Sequence, residues 1–326
     1  HRVDRRQRQM CIRDRINITR ETHPDLYFDY RKTLDFLGSI KEEDYEYPEE
    51  VTNFHVYTEA RSPKELEAIK SYIATQNLDK TKLTVWSEYD ISEQENMQPY
   101  KDIVDLKVYS ADEVSEGTPL EGNSKYTNVS DDDRHWMSSG IMRFLVLYKF
   151  GGIYMDMDMI LLRDFKPILD QNFAYQWGSS MDFAKERRWE PDCHGPCAAM
   201  LGAVKGSEYI ESCMEQLLRT PIRTRTTCFD EDMLGPVYAK NPNAFTVFPS
   251  PFFDCDWLVS KVDEPLSREA EAAWFEKATD PSNLFLESFA WHWHNSSNKH
   301  KTIVGGSKFS LLKDRNDNVL KEMGII

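Results

Sequence analysis

The sequence predicts an α/β domain, a mostly parallel central sheet with helices on its faces, behind an N-terminal helical extension. Three observations predict it. From Asn53 to Tyr109, strand patterns alternate with a helical one. Met137 to Tyr148 has helical spacing and runs directly into Gly151-Gly152 and a short apolar strand. The chain of 326 residues is 40% hydrophobic, with 8 Trp, 15 Tyr and 17 Phe, enough apolar surface for one sizeable core.

Residues 1–15 stand apart. They are Arg-rich, and Met10-Cys11-Ile12-Arg13-Asp14-Arg15 reads as the in-frame translation of a transposon end used in sequencing libraries. On that reading the native start of the chain is missing. Residues 16–50, polar, acidic and aromatic, form a helical preface covering one side of the domain at 51–326. Phe54-His55-Val56-Tyr57-Thr58 alternates as a strand does. Ser62-Pro63-Lys64-Glu65 is a capping box with Pro at the first helical position, and Leu66, Ile69 and Ile73 give the helix its apolar face. Leu83–Trp86 and Val104–Tyr109 are the next strands, and Ser110–Asp133 is a loop rich in Gly, Ser, Asn and Asp.

Met137, Ile141, Phe144, Leu145 and Tyr148 then share one helix face. Gly151 serves as the residue past the helix end, and Gly152 frees the backbone before the following turn. The second half is less regular. Strands are expected near Phe173–Trp177, Ala198–Val204, Phe245–Phe248 and Ser288–Trp293, with helices at Glu208–Leu218 and Glu231–Tyr238. No internal repeat or low-complexity linker interrupts the pattern.

A formal charge of −15 argues against a nucleic-acid partner, which wants a basic face. No apolar run approaches the roughly 18–20 residues of a membrane span, and any anchor would have been lost with the true N-terminus. Cys193-His194-Gly195-Pro196-Cys197 is either a small disulfide loop or two thiols, and it lacks the second pair that a structural zinc site needs.

The chemistry concentrates at Asp156 and Asp158, one residue apart where the strand breaks into a turn among Met155, Met157 and Met159. Carboxylates crowded this closely suit a hard divalent cation such as Mg²⁺ or Mn²⁺, which keeps positions open for water and phosphate oxygens. The pair therefore points to a bound diphosphate. A solvated acidic turn is the bland alternative, and the flanking methionines disfavour it.

Ser139-Gly140-Ile141-Met142-Arg143, seven further residues, and then Gly151-Gly152-Ile153-Tyr154-Met155-Asp156-Met157-Asp158 resemble a known signature. It is that of the "sugar-binding region containing DXD motif" glycosyltransferases, glycosyltransferase family 32, which includes Golgi α-1,6-mannosyltransferases and α-1,4-galactosyltransferases. The resemblance covers Asp132 to Asp164. It implies a GT-A (Rossmann-like) fold, a UDP- or GDP-linked sugar donor, Mn²⁺ (or Mg²⁺), retention of anomeric configuration, and a glycan or glycoconjugate acceptor. It further implies that Asp158 ligates the metal, that Asp156 meets metal, ribose or donor sugar, and that Arg143 helps hold the donor sugar. A eukaryotic chain of this kind works in the Golgi lumen, and otherwise the expectation is cytoplasmic.

Relatives usually read Ser-Asp-x-x-Arg where this chain has Ser139-Gly140, which puts donor identity in question. Asp131, Asp132 or Asp133 either supplies the missing carboxylate or simply favours the helix N-terminus. The block Phe289-Ala290-Trp291-His292-Trp293-His294-Asn295-Ser296-Ser297 resembles the family's closing His/Trp segment. Alternation places His292 and His294 on one face, where they would complete the metal shell unless Asn295 or Ser297 supplies an oxygen instead. Lys299, His300, Lys301, Gly305, Gly306 and Lys308 are read as a flexible basic tract, either a lid over the diphosphate through Lys301 and Lys308 or an ordinary charged tail. Tyr57 and Trp86 close the first two strands, where doubly wound sheets bind nucleotide, so each is a base-stacking candidate or core. Gly152 and Tyr154 complete the donor-binding candidates. Asp230-Glu231-Asp232 either orients the acceptor or opens a helix.

The resulting expectation is a metal-dependent retaining glycosyltransferase. A phosphatase-type hydrolase is disfavoured, because only Ile153-Tyr154-Met155 precede the first Asp and Ile160 sits where Thr or Val would be wanted. A catalytically degenerate nucleotide- or glycan-binding protein, motivated by Gly140, is the remaining alternative.

Overall fold

The computed structural model describes residues 15–60, 62–123, 134–176, 196–219, 231–255 and 273–326. The preface supplies helices α1 (Pro24–Phe28) and α2 (Tyr30–Ser39), the latter capped by the Asp29 carboxylate accepting from the backbone N–H groups of Arg31 and Lys32. Ile16, Ile18, Leu26, Tyr27, Leu37 and Ile40 bury themselves in the main core, so this segment is packed against the sheet domain.

Then come β1 (Thr52–Tyr57), α3 (Leu66–Thr75), β2 (Thr81–Ser87), β3 (Asp105–Val108), the short α4 (Ala111–Ser115), α5 (Arg134–Phe150), β4 (Gly152–Met155) and β5 (Met159–Leu161). The second half holds β6 (Phe173–Tyr175), β7 (Cys197–Ala203), α6 (Glu208–Arg219), α7 (Glu231–Lys240), β8 (Thr246–Phe248), β9 (Ala290–His292), the one-turn α8 (Asn295–Asn298) and α9 (Lys308–Glu322). The α3 start differs slightly from the capping box. A turn spans 63–65, and Ser62 Oγ accepts from Lys64 N at 3.3 Å while the helix begins at Leu66.

Seven strands form the main sheet in the order β3-β2-β1-β4-β7-β6-β8. The block β3-β2-β1-β4 is parallel, β7 runs antiparallel to both neighbours, and β6 pairs parallel with β8. The mostly parallel α/β class expected from the alternation is therefore what forms. A second sheet pairs β5 with β9 antiparallel, Met159 opposite His292 and Leu161 opposite Ala290.

Helix α5 is buried on more than one face. Ile141 through Leu147 are all buried, Arg143 among them, with α4 and α6 as well as β1, β4 and β7 packed against the helix. Gly151 and Gly152 carry φ of +69° and +100°, and a Cβ on Gly152 would stand 2.0 Å from Asn53 O. No other residue type makes this turn so close to β1. His55 on β1 fastens it from behind: its Nε2 lies 3.1 Å from Gly151 O, and Trp86 Nε1 donates to its Nδ1 at 3.3 Å. An indole N–H only donates, so Nδ1 is unprotonated and Nε2 carries the proton. Burial holds this imidazole neutral and lowers its pKa to about 4.

One expectation is corrected, and the pairing of Cys193 with Cys197 is left where the sequence left it. The tract at 299–308 is no free lid: Lys64 Nζ donates to the carbonyls of Asn298, Lys299 and Lys301, and Lys308 is already the buried first residue of α9. Cys197, Cys213 and Cys255 are buried thiols, and Cys193 lies outside the described residues. No described helix is long and apolar enough to cross a membrane.

Candidate active site at the junction of the two sheets

The chain leaves the main sheet at Met155 and enters the second at Met159, so Asp156 and Asp158 occupy the crossing. Met155 and Met159 are fully buried and Met157 nearly so, which leaves the two carboxylates largely covered in an apolar setting. Asp156 is held by the main-sheet side. Its N–H donates to Ala199 O on β7 at 2.8 Å, and its Oδ1 accepts from Tyr154 Oη at 2.7 Å and Arg143 Nη2 at 3.1 Å. Arg143 is buried in α5, donates through Nη1 to Ala198 O at 2.8 Å, and stacks its guanidinium over the Tyr154 ring. Burial pushes the Asp156 carboxyl up against the pull of Arg143, and the charge of Asp158 adds to the rise.

Asp158 is held by the second sheet. Its Oδ2 accepts from the backbone N–H of Asn295 at 2.8 Å and lies 3.2 Å from His292 Nε2, while its carbonyl accepts from Trp293 N at 3.0 Å. Burial alone would raise this carboxyl; the charge and hydrogen bond of His292, with the Asn295 N–H, bring it down to about 2. The same pairing, against burial, carries His292 up to about 9. The other ring nitrogen of His292 is 3.0 Å from the Tyr175 hydroxyl. Asn295 reaches Asp158 because His294 takes a left-handed backbone, φ 53° and ψ 71°, at the start of α8. A non-glycine residue held there is strained, and such strain persists where surrounding contacts over-determine it.

His294 stacks on His292, ring centroids 3.9 Å apart, and its Nε2 lies 3.1 Å from Asp254 Oδ2. Asp254, fully buried, was not anticipated. It follows the turn Ser250–Phe252, and nothing but an acidic residue behind an aromatic run marks it in the sequence. Asp254, His292 and His294 offer ligand atoms that all lie within 4.8 Å of one another. Asp158 Oδ1 and Asp254 Oδ1 are both buried with no hydrogen-bond partner among the described residues.

Of the residues singled out from sequence, Arg143, Gly152, Tyr154, Asp156, Asp158, His292 and His294 come together here. Trp86 does not: its ring is buried between Phe150 and Tyr109, with Lys107 over it and His55 on its N–H, so it is a core wedge. Tyr57 is buried beside it, edge-on to Tyr109. Lys308 turns its ammonium to Trp291, Phe285 and Cys255 Sγ, and Lys301 is tied to Lys64 through its carbonyl. Asp131, Asp132, Asp133 and Asp230 lie outside the described residues.

A family model described as "Glycosyltransferase sugar-binding region containing DXD motif" matches residues 14–174, which hold Arg143 and both aspartates. Residues 14–174 carry the sugar-binding region of the DXD-motif glycosyltransferases. Among solved structures this glycosyltransferase is similar to the PaToxG glycosyltransferase, with TM-score 0.43 and 15% identity over 69% of this chain and 79% of that one. It is also similar to the glycosyltransferase GlyE of Streptococcus pneumoniae TIGR4, with TM-score 0.45 and 11% identity over 84% of this chain and 63% of that one. The bifunctional glycosyltransferase WbbM gives TM-score 0.48 and 11% identity over 85% of this chain and 51% of that one. The chain thus spans less than two thirds of the latter two. His292, His294 and Asp254 lie beyond the matched region and rest on geometry alone.

Proposed function

We propose that this glycosyltransferase moves a sugar from a nucleotide-diphosphate sugar, UDP- or GDP-linked, to a glycan acceptor, with a divalent cation and with retention of anomeric configuration. The observation that carries the reading is Asp158 Oδ1, a buried carboxylate oxygen without a partner among the described residues, one residue from a second carboxylate. A buried charged oxygen left bare costs several kcal/mol, and a hard cation is the partner its chemistry fits. Asp156, Asp158, His292 and His294 are the residues that would hold Mn²⁺ or Mg²⁺. Such an ion, when bound, supplies positive charge to the departing diphosphate.

The chain's own groups do the rest. Arg143 and Tyr154 fix the Asp156 carboxylate by two hydrogen bonds to one oxygen. The Asn295 N–H and His292 fix Asp158 by its Oδ2. The buried methionines between and beside them exclude water, which strengthens every charge interaction in the turn. Positive charge developing at the anomeric carbon, as in glycoside hydrolysis, is favoured beside these carboxylates.

A thermal-shift screen with UDP, GDP and their sugars, with and without Mn²⁺, tests the reading. Stabilisation by one nucleotide only with metal, lost in Asp158→Ala, is the expected result, and NMR of the product's anomeric proton then reads retention. No metal-dependent shift with any nucleotide overturns it. Gly140, standing where relatives carry a sugar-binding Asp, favours a second reading in which donor binds without turnover. Any transfer to an acceptor or to water ends that one.

A further inference from the structure

The carboxylate of Asp254 has no assigned role. It is fully buried, it belongs to neither the DXD turn nor the late His/Trp strand, and a buried carboxylate is expensive unless paired. Only one of its oxygens is paired, Oδ2 with His294 Nε2 at 3.1 Å; Oδ1 has no partner among the described residues.

Its position is set by backbone. Asp254 N donates to Ser250 O at 2.8 Å, closing the turn that follows β8. Phe252 O accepts from Phe289 N at 2.9 Å and Phe253 O from His292 N at 3.1 Å, so 252–253 lie along one edge of β9. On the other edge β9 pairs with β5, and Trp293 N donates to Asp158 O at 3.0 Å. The two imidazoles of His292 and His294 therefore sit between two carboxylates, Asp158 paired to the first and Asp254 to the second. Each carboxylate spends one oxygen on its imidazole and leaves the other bare.

A residue that served only to orient His294 would need a single oxygen. The bare Oδ1 is surplus to that role, and the ligand atoms of Asp254, His292 and His294 all lie within 4.8 Å of one another, close enough to meet one ion, while Asp158 stands outside that cluster and adjoins it through His292. We infer that Asp254 is a further cation ligand of this site, giving it carboxylate oxygens from two distant segments together with imidazole nitrogen. The inference rests on the metal-dependent reading above. Carboxylates alone suit Mg²⁺ and Ca²⁺, whereas imidazole adds preference for first-row transition ions, so the set takes Mn²⁺ ahead of Mg²⁺.

The test is Mn²⁺ titration of the full chain followed by the EPR signal of free Mn²⁺, for wild type, Asp158→Asn and Asp254→Asn. Asn keeps the shape and can still accept from His294, so a purely orienting role survives the change. The expected result is Mn²⁺ binding by wild type that weakens about tenfold or more in Asp254→Asn, with the metal-free melting temperature unchanged or raised. Mg²⁺ should displace the bound Mn²⁺ only at large excess. Binding within about twofold of wild type in Asp254→Asn, with loss in Asp158→Asn, overturns the role of Asp254 and leaves the metal-dependent reading standing. Wild type that binds no Mn²⁺, with or without UDP or GDP, overturns both. An anomalous-difference map of wild-type crystals soaked in Mn²⁺ decides without any variant: a peak bonded to Asp254 sustains the inference, and one on Asp158 away from Asp254 overturns it.

Discussion

Asp156 and Asp158 are separated by one residue, yet they belong to different regions of the molecule. Asp156 is fastened by the main sheet, through Tyr154 on β4, Arg143 on α5 and Ala199 on β7. Asp158 is fastened by the second sheet and its continuation, through His292 and the Asn295 N–H that arrives 137 residues later. The first carboxylate keeps an arginine and has its charge disfavoured by burial; the second is held ionised by His292 and the Asn295 N–H and keeps one oxygen bare. The difference teaches that the DXD turn is a crossing point between layers. One carboxylate is fixed in the wall by an arginine and a tyrosine, and the other keeps a bare oxygen that a ligand shared by the two can meet.

The largest test of that contrast is to remove the presented carboxylate. Asp158→Ala should cost about 10²–10³-fold in transfer rate and abolish metal-dependent stabilisation by nucleotide. Its metal-free melting temperature should fall as well, because the buried His292 loses the carboxylate it is paired with. Sugar-nucleotide turnover and calorimetry read the two effects separately. If Asp156→Ala alone produced this pattern, the assignment of the two roles would be reversed.

Gly152→Ala attacks both regions at once, since the turn they share hangs from it. A Cβ there meets Asn53 O at 2.0 Å and must adopt φ of +100°, so a loss of about 3 kcal/mol or more is expected in denaturant unfolding. A loss under about 1 kcal/mol would mean that β4 can slide away from β1 without harm.

The support behind the turn is sensitive to acid. His55 titrates at about 4 in the folded chain and near 6.5 when unfolded, so below pH 6.5 the unfolded chain takes up a proton that the folded one refuses. Stability should therefore fall as pH drops from about 6.5 to about 4 and level off below, by up to about 3 kcal/mol from this residue. The difference in melting temperature between wild type and His55→Asn, followed across that window, isolates it. A pH-independent difference would place the proton elsewhere.

Much of this was legible beforehand for reasons that are local. The β/α alternation and the glycine pair are short-range patterns, and the aspartates sit where backbone geometry leaves no choice. His292 and His294 were readable from period-two alternation, but the left-handed backbone of His294 was not, since no glycine or asparagine announces it. Asp254 was illegible because what brings it to the site is the pairing of 252–253 with β9, a long-range contact between segments with no shared motif. Trp86 at the end of β2 reads first as core and second as a base platform, and the donor need of its N–H, met by His55, decides for core. The basic tract looked mobile because Gly305 and Gly306 precede a helix whose sequence is mostly polar; its buried face is Phe309, Leu312, Asn316 and Leu320.

The smallest expected effect is the most specific to the comparison. Lys64 Nζ donates to Asn298 O, Lys299 O and Lys301 O at 3.0, 3.1 and 2.6 Å and lies 4.6 Å from the Phe275 ring centroid. It thereby ties the start of α3 to the end of α8, whose first N–H holds Asp158. Lys64→Met keeps the stem in place and deletes the three donors, at a cost of about 1–2 kcal/mol confined to that segment. The amide of Asn295, which donates to Asp158, should then exchange its hydrogen about tenfold faster. The amide of Asp156, held by Ala199 O at 2.8 Å on the main sheet, should keep its wild-type rate. Equal acceleration at both amides would show that the two aspartates share one cooperative unit, and the division between wall and presented ligand would then have no basis in the dynamics of the chain.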